Sequence, residues 1–338
     1  MDFSEKPVAF ESIAAMKTAL ICGVSGQDGA YLARFLLEKG YAVHGTSRDA
    51  QVSSFKNLDR LGIRDRLVLH SMALNDFRSV LQVIHRVKPD EIYNLAGQTS
   101  VGLSFEQPVE TMESITLGTL NLLEAIRFIN APIKFYNAGS SECFGNTGDR
   151  TADETTAFSP RSPYAVAKAA AHWQVANYRE AYNLFACSGI LFNHESPLRP
   201  RRFVTQKVVT TAIEISKGRA ERLYLGDISI RRDWGWAAEY VEAMYLMLQA
   251  PQPEDYVIAT GETHCLEDFV AEVFAYVGLD WTAYIEIDKS LFRPSEIAVN
   301  RGSPQKAHEK LGWRAQRKMK DVVRGMVDAI LCDTDVDS

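Results

Sequence analysis

Short apolar runs alternate with amphipathic stretches along the first half of the chain, and that rhythm dictates an architecture. Thr18–Cys22, Ala42–Thr46, Leu67–Leu69, Glu91–Ala96 and Ile133–Asn137 read as strands. Between them lie helical patterns: one after Gly29 with apolar Leu32, Phe35 and Leu36, then Phe77–Arg86 and Glu110–Ile129. Strand, helix, strand at this spacing means parallel strands with right-handed crossovers, so the expected class is α/β with a doubly wound parallel sheet. Pro163 suits a first helical position and opens a helix to about Tyr182; a strand over Phe185–Phe192 follows it. Beyond Phe192 the rhythm fades into a smaller, mixed C-terminal lobe, from which Tyr240–Leu248 and Tyr256–Ala259 return to the sheet.

The Gly-spaced turn after the first strand gives that sheet a purpose. Gly23-Val24-Ser25-Gly26-Gln27-Asp28-Gly29 has the spacing that lets a pyrophosphate approach backbone N–H groups at a helix N-terminus, which makes the sheet Rossmann-type. The second strand ends in Ser47 and Arg48 where an acidic residue would accept a ribose hydroxyl, and a guanidinium there suits the 2′-phosphate of NADP over NAD. The cofactor then lies along the carboxyl ends of the strands, where Ala96, Gly97 and Gln98 leave room.

Chemistry concentrates between Phe135 and Lys168. Tyr164 and Lys168 are four apart and share a helical face. A free tyrosine titrates near pH 10, and a cation about 4 Å away at an effective dielectric near 20 supplies ~4 kcal/mol, the order needed for a phenolate at neutral pH. Ser140 offers a hydroxyl to the same substrate group, and Glu142 adds a second acid/base group with a different task. Arg199, Lys207, the Ile230–Gly235 segment and Arg293 spread cations over several elements, as a nucleotide diphosphate requires.

Charge and cysteines narrow the partners. The 338 residues carry a net charge of −6 with no Lys/Arg stripe, which argues against nucleic acid. Five scattered cysteines without a C-x-x-C pair point to reduced thiols and a cytoplasmic location. The first sixteen residues carry Asp2, Glu5 and Glu11 without a basic start, unlike a signal peptide. No apolar run approaches the ~18 residues of a membrane span, and no metal is expected. The division expected is a flexible extension over 1–16, an NADP-binding domain with the catalytic residues over 17–192, a mainly substrate-binding lobe over 193–332 with segments near 236–260 returning to the first domain, and a tail over 333–338.

With these residues in hand, the chain from Lys17 to about Val327 resembles the extended short-chain dehydrogenase/reductases that modify nucleotide sugars, most closely the GDP-mannose 4,6-dehydratase family. Ser140-Ser141-Glu142, Tyr164 with Lys168, Gly189-Ile-Leu-Phe-Asn-His-Glu-Ser-Pro197, Arg232-Asp-Trp-Gly235 and Phe292-Arg-Pro294 with Glu296 carry the resemblance. It implies that Ser140 stands for a catalytic Thr, Glu142 for the base, and Tyr164 and Lys168 for the redox pair. It further implies Leu74, Leu95, Ala96, Gln98, His194 and Arg199 beside NADP, which stays bound and is regenerated each turn. Ser100, Ser141, Asn193, Val204, Lys207, Arg232, Arg293 and Glu296 then hold a GDP-sugar, and the assembly is a homodimer or homotetramer.

Departures from the family pattern are Ala73 for an Asp near the adenine, Asp49 for an Arg, Leu198 for another Arg, and Pro200-Arg201 in the loop that follows. They admit a related substrate such as GDP-manno-heptose. A 4-epimerase or 4-ketoreductase needs Tyr164 and Lys168 but no base for C5, so Glu142 favours the dehydratase. A silent nucleotide-sugar sensor would leave the Ser/Glu/Tyr/Lys set without a task.

Overall fold

The computed structural model describes residues 16–336, with side chains described to residue 332. The expected extension over 1–16 therefore lies outside the described residues except for Met16, as do residues 337 and 338 of the expected tail. Seven parallel strands form the central sheet: β1 (Thr18–Cys22), β2 (Ala42–Ser47), β3 (Val68–Ser71), β4 (Glu91–Asn94), β5 (Lys134–Ala138), β6 (Ala186–Leu191) and β7 (Tyr256–Ile258). Their order is β7-β6-β5-β4-β1-β2-β3, and every neighbouring pair is parallel. The direction of winding reverses between β1 and β4, which opens a crevice at their carboxyl ends.

Both faces of the sheet are covered, so its strands are apolar on both sides. The principal helices are α1 (Gln27–Glu38), α2 (Phe77–Val87), α3 (Gly118–Ile129), α4 (Pro163–Tyr182), α5 (Val204–Ser216), α6 (Ala237–Gln249), α7 (Leu266–Tyr276) and α8 (Met319–Val336). Ile21, Tyr93 and Tyr136 point into a core with Leu32 and Leu36 of α1 and Tyr240 and Met244 of α6. Their neighbours Leu20, Ile92 and Phe135 point the other way, against Val80 and Ile84 of α2, Leu122 and Ile126 of α3, and Val175 of α4. Strand β7 pairs β6 at the edge of this sheet, and helix α6 packs in the first of these cores. A separate core gathers Val209 and Ile213 of α5, Phe269 and Val273 of α7, Val323 and Val327 of α8, and Trp234. The closing helix runs to Val336, beyond the expected limit at residue 332.

Two local details depart from the periodicity. The single helix expected over Glu110–Ile129 is three pieces, with Pro108–Met112 and α3 joined by a π-helical turn at Glu113–Leu117. The wider turn brings Ser114 Oγ to accept the Gln98 backbone N–H at 3.2 Å and seats Ile115 against Gly97. Helix Val101–Glu106, capped by Ser100 Oγ, follows the loop after β4 and has no apolar period long enough to read.

Candidate active site

The turn after β1 has its shape because side chains do not fit there. Gly23 has φ +84°, and a Cβ on it would lie 2.9 Å from Ala96 Cα; one on Gly29 would lie 2.4 Å from the Gly23 carbonyl oxygen. Gly29 thus lets α1 start against the turn, its N–H groups facing the crevice. A cavity of about 600 Å³ opens over this turn. Gly23, Ser25, Gly26, Gln27, Asp28, Gly29, Arg48, Leu74, Leu95, Ala96, Gln98 and Arg199 all line it, as the sequence expects of cofactor contacts. Ala73 and Asp49 do not line it. Leu198, another departure, is buried in the core around α1 and α6.

A second cavity of about 360 Å³ adjoins the first. Ser140, Glu142, Tyr164 and Lys168 line it, together with Ser100, Ser141, Asn193, His194, Val204, Lys207, Arg232 and Arg293. Glu296 is the exception among the expected contacts. It sits behind the arginines, accepting from Arg232 Nη2 at 3.0 Å and Arg293 Nη1 at 3.3 Å on one carboxylate oxygen.

β5 delivers Ser140, which caps the short helical turn Ser141–Phe144 by accepting the Glu142 N–H at 3.3 Å. Burial raises Tyr164's pKa, with Ser140 opposing, while Lys168 donates to the Ala138 carbonyl at 2.8 Å and burial lowers its own pKa to about 8. The expected cationic help is thus opposed, because both groups are desolvated and the ammonium donates to a carbonyl. Burial also raises Glu142's pKa, against the pull of Arg232 and Arg293 across the cavity.

Asp28 lines both cavities, and its partner His194 lines the smaller one. His194 Nε2 lies 2.9 Å from Asp28 Oδ2, its Nδ1 lies 2.7 Å from the Phe192 carbonyl, and its ring stacks on Tyr240. Gln27 fastens the same strand, donating to the His194 carbonyl at 3.2 Å and accepting from Ser196 Oγ at 2.7 Å. Burial works against both charges, yet each supports the other: Asp28's pKa is lowered and His194's is raised.

Sequence reasoning missed one residue and left another without a separate role. Asn300, fully buried, donates to the Ser141 carbonyl at 3.0 Å and the Gly145 carbonyl at 3.3 Å, bracing the turn that carries Glu142. Arg202 lines both cavities. It belongs to the Arg199–Arg202 run, which the sequence reads as a local anion site, whereas no local pattern marks Asn300.

Comparison with known proteins supplies a context for this geometry. A family model described as GDP-mannose 4,6 dehydratase matches residues 20–326. The chain is 48% identical over 322 residues to GDP-mannose 4,6 dehydratase 1 of Arabidopsis thaliana, covering 92% of this chain and 89% of that one. It is 42% identical over 337 residues to the human GDP-mannose 4,6 dehydratase, covering 92% and 90%. Among solved structures, the UDP-glucose 4-epimerase of Thermus thermophilus in complex with NAD superposes with a TM-score of 0.81 at 26% identity, over 92% of this chain and 98% of that one.

Proposed function

The chain belongs to the GDP-mannose 4,6-dehydratase family, and from that footing we propose that it converts GDP-D-mannose to GDP-4-keto-6-deoxy-D-mannose by internal hydride transfer and loss of water. The observation that carries this reading is Glu142, a carboxyl with a raised pKa facing the smaller cavity beside Ser140 and Tyr164. An epimerase or 4-ketoreductase has no use for such a base.

The larger cavity suits a nicotinamide dinucleotide, because a Cβ at Gly23 or Gly29 would strike backbone whereas Gly26 leaves its flank open. When bound, this cofactor would supply a hydride acceptor for C4 and a hydride donor for C6, and its oxidised form a positive charge that favours a Tyr164 phenolate. Arg48 on the cavity wall supports NADP.

Tyr164 takes the proton from O4 while Ser140 holds the same oxygen. The resulting 4-ketone acidifies C5, whose proton Glu142 removes. Protonated Glu142 then delivers that proton to the departing O6 hydroxyl while Ser140 steadies the oxyanion; as hydride adds at C6, C5 takes a solvent-derived proton and Tyr164 releases to solvent the proton it took from O4. Asn193, Lys207, Arg232 and Arg293 hold the GDP-sugar, with Glu296 orienting the two arginines. Leu198 belongs to the core rather than the sugar pocket, which favours mannose over a manno-heptose. The lobe carrying α5, α7 and α8 is then the substrate lobe, and the protein a cytoplasmic homodimer or homotetramer.

The test is incubation with GDP-mannose in deuterated water. Loss of one water with a solvent deuteron at C5 is expected; a product that keeps its C6 hydroxyl, or that loses water without deuterium at C5, refutes the reading. Glu142→Gln should lose elimination and keep the first hydride transfer, visible as nicotinamide absorbance on a single turnover.

A further inference from the structure

We propose that Arg202 grips the diphosphate of the sugar nucleotide at the seam between the two cavities. The proposal rests on the GDP-sugar reading and gives a specific ligand to one residue of the Arg199–Arg202 run, which the sequence reads only as a local anion site. The seam is formed by Asp28, Leu95, Thr99, Arg199, Arg202 and Phe203, the residues common to both linings.

The cations around the smaller cavity differ in what already occupies them. Arg232 donates to the Ile297 carbonyl at 2.7 Å and to Glu296. Arg293 shares that carboxylate, and Lys207 donates to the Tyr224 carbonyl at 2.6 Å. Arg199 lies 3.2 Å from Glu195 and stacks at 3.8 Å over the Phe203 ring. Arg202 alone among these five has neither a carboxylate nor a backbone carbonyl as partner among the described residues. It makes a 3.4 Å contact with the Thr99 hydroxyl, and its guanidinium stands 5.4 Å from the Phe203 ring.

A planar fork of donors, carrying a full charge at the cavity wall, is matched by phosphate oxygens. The substrate is the favoured source of those oxygens. The cofactor's pyrophosphate has the glycine turn and the start of α1 to receive it, whereas the smaller cavity's other cations are engaged. Thr99, on the loop after β4, holds the guanidinium across the seam until phosphate replaces it.

The test is calorimetric titration of GDP into the NADPH-loaded protein, with guanosine titrated in parallel. Arg202→Ala should weaken GDP about tenfold, the scale of one lost charge-assisted hydrogen bond at an exposed site. Guanosine affinity should not change, which also reports that the variant is folded. Arg202→Lys should recover only part, since an ammonium lacks the fork. Arg201→Ala, at an exposed position lining neither cavity, should behave as wild type. Unchanged GDP affinity in Arg202→Ala, or a loss confined to NADPH, overturns the proposal. Because GDP binding needs no turnover, failure of the dehydration itself would be seen separately.

Discussion

Removing the Asp28 carboxylate, which lines both cavities, probes its charge pair with His194. His194 Nδ1 faces a carbonyl at 2.7 Å and Nε2 faces Asp28 at 2.9 Å. With an ionised Asp28 both neighbours only accept, so the ring carries two protons and a positive charge. The side chains are 9% and 21% exposed, which leaves little water to screen them. Taking one partner from such a buried pair costs about 3–5 kcal/mol, a large share of the ~5–15 kcal/mol that holds a typical domain folded.

Urea unfolding of Asp28→Ala should show a loss of that size. The Asp28→Ala/His194→Ala double variant should lose less than the two single losses added together, since the second change removes the orphaned charge. The pH dependence has a definite sign. His194's pKa is raised on folding, so its contribution is complete below the ordinary value of 6.5 and fades as pH rises through the folded value. Asp28's is lowered, so its contribution is complete above 3.8 and fades as pH falls through the folded value. The pair therefore contributes in full between those two ordinary values. Single variants each costing under about 1 kcal/mol, or coupling near zero, would refute the buried ion pair. So would a His194 ring that titrates at its ordinary value by NMR.

Three further outcomes follow from the site. Glu142 must be ionised to act as a base and burial raises its pKa, so the acid limb of kcat/KM for dehydration should lie above the ordinary 4.5; Glu142→Gln should lower the rate by ~10²–10⁴, and an unchanged acid limb in that variant's residual activity would assign it elsewhere. Gly29→Ala forces a Cβ to 2.4 Å from the Gly23 carbonyl oxygen and should cost about 1–3 kcal/mol together with cofactor binding. Gly26→Ala meets only that same oxygen, at 3.4 Å, and should stay within about 0.5 kcal/mol of wild type; equal melting of the two variants would contradict the packing argument. Asn300→Ala strips two buried carbonyls of their donor, should cost ~1–3 kcal/mol, and should depress kcat more than it raises KM if the turn it braces carries the base.

What was legible in the chain was whatever repeats locally. The strand runs were placed within a few residues, α4 spans Pro163–Tyr182 as its N-terminal proline and apolar spacing suggest, and the glycine turn announced the larger cavity. Contacts between distant segments were not legible. Asn300 lies 159 positions from the carbonyl of Ser141 that it supports. Glu296 belongs with Arg232 through an isolated bridge between Arg231 and Val299 that no short pattern records. The Tyr164–Lys168 spacing correctly brought both side chains to one cavity, yet spacing carries no information about desolvation, which sets their proton affinities. The π-turn at Glu113–Leu117 was hidden for a similar reason: its driving contacts, Gln98 and Gly97, sit on another loop.

The position of β7 in the sheet bears on how the molecule is made. β6 is buried along its whole length, and its outer edge is paired by Tyr256–Ile258, a segment synthesised only after α5 and α6. While the nascent chain waits for that segment, β6 presents an unpaired apolar edge, the kind of template that recruits foreign strands. A fragment ending at residue 192 would carry the same defect permanently. The chain is therefore committed to late closure during translation, and its yield in a cell should depend on chaperones that shield one strand edge until the seventh strand arrives.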